Sequence, residues 1–253
     1  MILLNDKSVV VTGGSRGLGF GVVEALVDRG ARVTVVARDR AALAKVEQRL
    51  GVAVMVADVT DEAAAKRTIA EIRPEILVLN AGATPHMGRL DQLTWNEFAT
   101  NWETDVKASF FWLQAALNLP LSPGSRVLAV SSGAAELGSP LSGGYAGAKR
   151  TVWFMTEYAD RVAKQKKLGV RFQVVVPRQI IGGTGVGDAG ASAYAGAAGL
   201  DRETFLGGFG APMPPRRFGD HVVSLLTDER YADGAAFGLN GSAGITIIER
   251  SEP

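Results

Sequence analysis

Short runs of β-branched and other apolar residues recur along this chain, separated by longer stretches in which apolar residues return at helical spacing. The runs are SVVVTG at 8–13, RVTVVA at 32–37, VAVMVA at 52–57, EILVLNAG at 75–82, RVLAVSS at 126–132 and VRFQVVVP at 170–177. Each has the length and composition of a buried strand. Segments such as GFGVVEALVDRG and EAAAKRTIAEIR lie between them with helical periodicity. Strands that are apolar on both faces need cover on both faces, and the intervening helices supply it. The pattern therefore predicts an α/β fold built on a parallel sheet with right-handed crossovers. A last strand is predicted at GITIIE, 244–249. No internal repeat and no linker divides the chain, so a single domain is expected.

Composition narrows the partners more than the fold. The 253 residues are 47% hydrophobic and 21% charged, which suits one large α/β domain. Lys plus Arg number 27 against 26 for Asp plus Glu, so no net field would recruit nucleic acid or an anionic membrane. A small-molecule partner is expected instead. The absence of cysteine excludes disulfides, thiolate metal sites and a cysteine nucleophile, and with only two histidines no metal site is expected. The N-terminal MILLNDKSVVVTGG enters a strand pattern without a basic region or a cleavage site, and no run reaches the roughly eighteen apolar residues of a membrane span. The expected location is the cytoplasm.

Three stretches carry chemistry. After the first strand comes Thr12-Gly13-Gly14-Ser15-Arg16-Gly17-Leu18-Gly19, followed by a helical pattern. Glycines there permit positive φ and let backbone amides approach a pyrophosphate at the positive end of a helix, which is dinucleotide geometry. The second strand ends Ala37-Arg38-Asp39. An arginine at that place fits a 2′-phosphate, with Arg16 as a second cation, and favours NADP(H); Asp39 next door would serve NAD(H). The third stretch, SSGAAELGSPLSGGYAGAKR at 131–150, sets Tyr145 four residues before Lys149 and thirteen after Ser132. A helix starting after Gly143-Gly144 puts the phenol and the ammonium on one face. A positive charge there would lower the phenol's pKa and tune Tyr145 as an acid.

With the glycine loop, LNAG at 79–82, Ser132 and Tyr145-x-x-x-Lys149 in this order, the chain resembles the short-chain dehydrogenase/reductase family along nearly its whole length. The resemblance implies a doubly wound Rossmann fold with a roughly seven-stranded parallel sheet in one domain, residues 1–253, and a nicotinamide cofactor. It assigns Gly13, Ser15, Arg16, Gly17, Leu18 and Gly19 to the phosphate loop, Asp58 and Val59 to the adenine, and Asn80, Ala81 and Gly82 to the floor under the cofactor. It implies that Tyr145 exchanges a proton with the substrate oxygen and that Ser132 hydrogen-bonds that oxygen. Lys149 would hold the nicotinamide ribose, and Pro177 with the backbone of Ile180 would meet the carboxamide. Family members commonly pair through two helices, which implies a homodimer or homotetramer here.

Two positions depart from the family pattern. Asp105 stands where the family usually places an asparagine; a role for its backbone carbonyl near the lysine would tolerate the change, and a role for the amide would not. Pro177 is followed by Arg178 where glycine is usual, with Gly182 at the customary place of a threonine and Thr184 two residues on. Arg178 would either reach an acidic substrate group or pack its stem against the segment beyond. That segment, about 182–215, is rich in Gly and Ala and is expected to form a mobile substrate lid, too poor in large apolar residues to be core, with a short helix at 201–206. Its Tyr194, Phe205, Leu206, Phe209 and Met213 suggest an apolar or aromatic carbonyl substrate. Consecutive Phe110-Phe111-Trp112, and Trp153-Phe154, point different ways around their helices, so one of them must turn away from the sheet into an apolar face covered on assembly, which charged substitution at Trp112 or Trp153 would locate. The reading is an NADPH-dependent carbonyl reductase. Its alternatives are an alcohol dehydrogenase working oxidatively and a catalytically weak NADP(H)-binding regulator.

Overall fold

The computed structural model describes residues 3–119 and 121–249. Strands β1 (Ser8–Thr12), β2 (Arg32–Ala37), β3 (Ala53–Val56), β4 (Ile76–Leu79), β5 (Arg126–Val130) and β6 (Arg171–Pro177) stand where the apolar runs predict them. Helices α1 (Gly17–Val27), α2 (Arg40–Leu50), α3 (Glu62–Ile72), α5 (Lys107–Asn118) and α7 (Tyr145–Gln165) alternate with them, with a four-residue helix, α6 (Ala134–Leu137), between β5 and α7. A seven-residue helix, α4 (Trp95–Asn101), precedes a wide turn with π-helical bonding, Trp102–Val106, that leads into α5. With β7 (Ala236–Asn240) and β8 (Gly244–Ile247), the chain forms one α/β domain around a sheet ordered β3-β2-β1-β4-β5-β6-β7-β8. The order reverses between β1 and β4, where a crevice opens at the carboxyl ends of the strands.

Alternate strand residues feed two cores. Val9, Val11, Val33 and Val35 pack with Leu26 of α1 and with Phe218 and Val222 of α10 (Pro215–Thr227) on one face. Val10, Val36, Leu77 and Val127 pack with Ile69 of α3, Trp112 of α5 and Val152 of α7 on the other. The period of two that separates Val10 from Val9 and Val11 makes one strand serve both layers.

The sheet has eight strands rather than roughly seven, and the last is antiparallel. The β7 strand (Ala236–Asn240) pairs parallel to β6, and β8 (Gly244–Ile247) returns beside it as a hairpin. The sequence hid β7 because AFGLN offers only Phe237 and Leu239 as large apolar residues and has glycine at its centre. That glycine is needed: a Cβ on Gly238 would lie 2.7 Å from Thr246 Oγ1 and 2.8 Å from the Arg178 side chain. The hairpin turn is held by Asn240 Oδ1, which accepts the amides of Ser242 and Ala243, and Gly244 takes a left-handed φ of 71°.

The Gly/Ala-rich stretch is also more ordered than its composition suggests. It holds a fourteen-residue helix, α8 (Gly185–Ala198), before the expected short one, α9 (Arg202–Gly207). Thr184 caps α8 by accepting the Gly187 amide, and alanine is the best helix former. Ala191, Ala195 and Met213 are fully buried. Small size here reflects close approach, since a Cβ on Gly187 would fall 1.8 Å from the Ile181 carbonyl oxygen.

Trp112 and Trp153 do not form an exposed face. Trp112 is 1% exposed and donates its Nε1 to the Val59 carbonyl; Trp153 is buried and donates to Glu157. On α5 and α7 the aromatics that do face outward are Phe110, Phe154 and Tyr158, the last two stacked with ring centroids 6.2 Å apart.

Helices α1 and α10 cross through glycine. A Cβ on Gly219 would lie 2.0 Å from the Gly21 carbonyl oxygen. Gly219→Ala should therefore lower stability by about 1–3 kcal/mol, the usual cost of overpacking. Gly196→Ala, in α8 with open space around its Cβ, should be neutral or stabilising by up to about 1 kcal/mol. Denaturant midpoints of the two variants check this; equal shifts would refute the close crossing.

Candidate active site

A cleft of about 640 Å³ runs over the carboxyl ends of the strands, from Arg38 and Gly13 at one end to Tyr194 and Phe209 at the other. Gly13 and Gly17 take left-handed φ values of 67° and 56°. A Cβ on Gly13 would sit 2.7 Å from Ala81 Cα, so no other residue permits this turn without a shift. No side chain caps the first turn of α1, whose Gly17 and Leu18 line the cleft along with Ser15 and Arg16. Uncapped amides at a helix start suit a phosphate. Gly19 lies beneath this loop instead of lining the cleft: its Cβ would meet the Gly13 carbonyl oxygen at 2.3 Å and Asn80 Nδ2 at 2.4 Å.

Asn80 stitches the loop to β4. Its Nδ2 donates to the carbonyls of Thr12 and Gly13 at 3.3 and 3.2 Å, and Thr12 Oγ1 accepts the amides of Asn80 and Ala81. At the outer end Arg38 is 70% exposed, its nearest carboxylate being Asp58 at 3.7 Å. Asp39 is committed elsewhere, since its Oδ1 caps α2 by accepting the amides of Ala41 and Ala42. Asp58 stands outside the cleft lining, turned to Thr60; that amide, ahead of the Thr60 hydroxyl and Arg38, holds its carboxyl below the ordinary range against a partial desolvation. Val59, Ala81 and Gly82 line the cleft.

The inner end brings Ser132, Tyr145 and Lys149 together. Tyr145 opens α7 and Lys149 follows one turn later, both buried, with Lys149 Nζ 5.8 Å from the phenol ring centroid. Ser132, just past β5, lines the cleft with Tyr145 and accepts the Ala134 amide. Ser131 Oγ donates to the Lys149 carbonyl, fixing α7 against β5. Lys149 Nζ donates to the Val130 carbonyl at 3.2 Å and lies 3.0 Å from Asp105 Oδ2.

Asp105 projects from the π-helical turn into this group. Its Oδ1 accepts the Ala83 amide at 2.8 Å and the Asn101 side chain at 3.4 Å, while Asn101 also donates to the Ala83 carbonyl. The same carboxylate explains Gly82, on which a Cβ would lie 2.7 Å from Asp105 Oδ2. Asn101 was not foreseen; its spacing of four from Asp105 in TNWETD is the signal that could have found it.

Charge balance here differs from the sequence expectation of a depressed phenol. Burial raises the Tyr145 phenol above its ordinary value; Lys149 and Ser132 pull it down, and Asp105 pushes it up again. For Lys149, burial opposes the ammonium, yet Asp105 and then Tyr145 outweigh it, and the net direction is upward.

The far wall is aromatic. Tyr194 Oη lies 2.7 Å from Ser139 Oγ and accepts the Leu141 amide, its ring stacks on Phe205, and Phe205 meets Phe209 edge-on. Met213 does not join them, being packed in the core beside Phe218. Arg178 meets neither expectation: it is clasped by Glu136 at 2.8 and 2.5 Å and donates to Thr246. Pro177 and Ile180 line the cleft, and Thr184, near Gly17, faces the phosphate loop across it.

A family model described as short chain dehydrogenase matches residues 7–187. The chain is 31% identical over 183 residues to L-fucose dehydrogenase of Rattus norvegicus, covering 70% of this chain and 67% of that protein. It is 33% identical over 184 residues to the short-chain dehydrogenase/reductase FrzI of Cladobotryum sp, covering 68% and 69%. A third relative, the short chain dehydrogenase/reductase AacuD of Aspergillus aculeatus, is 30% identical over 152 residues, which is 56% of this chain and only 54% of that protein. The chain belongs to the short-chain dehydrogenase family.

Proposed function

We propose that this chain is an NADP(H)-dependent carbonyl reductase that transfers a hydride between nicotinamide and a ketone or aldehyde. The observation that carries the reading is the convergence of Ser132, Tyr145 and Lys149 at one end of a cleft whose other end is a glycine-shaped loop beside the exposed Arg38. The cleft fits a dinucleotide because Gly13 leaves backbone where any Cβ would collide, and because the first turn of α1 is uncapped. Relatives named as dehydrogenases, of L-fucose and of 2,5-dichloro-2,5-cyclohexadiene-1,4-diol, support chemistry between C–OH and C=O. They also favour a second reading, oxidation of an alcohol at the same site.

When bound, a dihydronicotinamide supplies the two electrons and one hydrogen, as hydride, that reduce the carbonyl carbon, and is itself oxidised. The chain supplies the rest. Tyr145 Oη gives its proton to the carbonyl oxygen, completing the alcohol, and Ser132 Oγ donates a hydrogen bond to that oxygen as negative charge grows on it. Lys149, held by Val130 and Asp105, would bind ribose hydroxyls in this reading. At the substrate end Tyr194, Phe205 and Phe209 form an apolar wall, and Arg178 is neutralised by Glu136, which together suit an uncharged apolar or aromatic carbonyl compound. Residues 182–215 act as the substrate lid in this reading. No helix among the described residues is long and apolar enough to cross a membrane, and we take the site of action to be the cytoplasm.

Tyr145→Phe removes the transferable proton and keeps the ring. Turnover of a carbonyl panel, followed by NADPH absorbance, should fall by at least ~10²-fold with cofactor affinity little changed; near-normal turnover would eliminate the assignment.

Arg38→Ala should weaken NADPH by about 1–3 kcal/mol, the range for hydrogen bonds involving a charge, and leave NADH almost unmoved. Calorimetric titration of both cofactors checks it, and equal losses would overturn the preference.

Phe110, Phe154 and Tyr158 form the aromatic face of α5 and α7, with Arg150 stacked 4.5 Å over Phe154. We take this face to pair two chains into a dimer or tetramer. Light scattering at micromolar concentration should show an oligomer that Phe154→Glu breaks; a stable wild-type monomer refutes it.

A further inference from the structure

The lysine beside Tyr145 is not a lone charge. Its Nζ lies 3.0 Å from Asp105 Oδ2, with the two side chains 8% and 1% exposed. No aligned hydrogen bond reaches Oδ2, so the contact is held by charge. In surroundings this dry, Coulomb interactions are weakly screened, and a phenolate at Tyr145 would feel the carboxylate as well as the ammonium. It would face a dipole in place of a single positive charge.

The neighbouring elements add no competing charge. Lys149 comes from Tyr145's own helix and Asp105 from the π-helical turn; Ser132, Asn101 and the Ala83 amide contribute neutral groups. Glu103 and Lys107, flanking Asp105, are solvent-exposed, and Arg178 is paired with Glu136. Arg150, next to Lys149, lies over Trp153 and Phe154.

We propose that Asp105 is a positioning residue for the proton of this site: by neutralising Lys149 it keeps Tyr145 in the phenol form at neutral pH and so sets the cleft to donate a proton. This rests on the carbonyl-reducing reading above and gives it a direction. A phenol completes a reduction by passing its proton to the substrate oxygen. Oxidation of an alcohol needs the phenolate to take that proton back, and would run only at more alkaline pH. The direction of the Tyr145 ionisation agrees, since burial raises it first and Asp105 adds to the rise against Lys149 and Ser132.

The test follows the phenol itself. Ultraviolet phenolate titration of the full chain without cofactor, each protein measured against its Tyr145→Phe counterpart, isolates Tyr145 from the other tyrosines. Asp105→Asn retains an oxygen to accept the Ala83 amide, so a purely structural role would leave the Tyr145 midpoint in place. We expect the midpoint to fall by about one pH unit or more, the scale of shift that an unopposed neighbouring charge produces. A folded Asp105→Asn protein whose midpoint stays or rises overturns the proposal. If that variant does not fold, Lys149→Gln leaves Asp105 facing the phenol and should move the midpoint above wild type; an unchanged or lower midpoint overturns the proposal equally. The titration needs no substrate, so a lack of carbonyl turnover would sink the proposed reaction without touching this result.

Discussion

A carboxylate and an ammonium buried 3.0 Å apart hold the inner end of the cleft together. Taking two charges out of water costs several kcal/mol for each, and the mutual attraction repays this only when the remaining polar atoms are satisfied. Asp105 meets that condition on one oxygen through the Ala83 amide and Asn101, and Lys149 through the Val130 carbonyl. The pair therefore ties four separate pieces of chain: the loop after β4, the π-helical turn, the end of β5 and α7. Removing one partner would strand the other, at a cost of about 3–5 kcal/mol.

The π-helical turn is what brings Asp105 inward. A regular helix from Trp95 to Asn118 would carry each side chain round by a fixed step, whereas the wide turn at Trp102–Val106 inserts an extra residue and re-aims those that follow. Wide turns of this kind occur mostly as single turns inside helices. Here Asn101 and Asp105 both bond the Ala83 backbone, so the same loop that floors the cleft also holds the turn. Gly82 is the space this arrangement requires.

How much of this was legible in the sequence depended on whether a residue's role was local. The first six strands could be read because Val-, Ile- and Leu-rich runs signal burial by themselves. Tyr145 and Lys149 could be paired because a helical turn fixes their relation. The β7 strand was hard to read because its glycine answers to Arg178, which is distant in the chain, and to Thr246 across the hairpin. Trp112 was misjudged for the same reason: neighbouring aromatics on a helix point different ways, and only the fold shows that Phe110 faces out while Trp112 reaches Val59. The helix α8 was missed because a glycine-rich, alanine-rich stretch reads as flexible unless the close contact that demands small residues is known. The pull of Lys149 on the Tyr145 phenol was legible from their spacing, but the net rise was not, because burial, its largest cause, and then Asp105 belong to the fold.

The cleft is electrostatically uneven along its length, and that unevenness orients whatever enters. At the outer end Arg38 is largely free in solvent, with Asp58 no nearer than 3.7 Å, and the uncapped amides of α1 add partial positive charge. At the inner end the formal charges cancel in pairs, Lys149 with Asp105 and Arg178 with Glu136. An elongated ligand with phosphates at one end and a neutral ring at the other matches this gradient, and the reversed pose would set its phosphates against a neutralised, aromatic wall. The two ends of the cleft thus differ in charge as well as in shape, and at the inner end Tyr145 stands beside a paired charge and not a lone one.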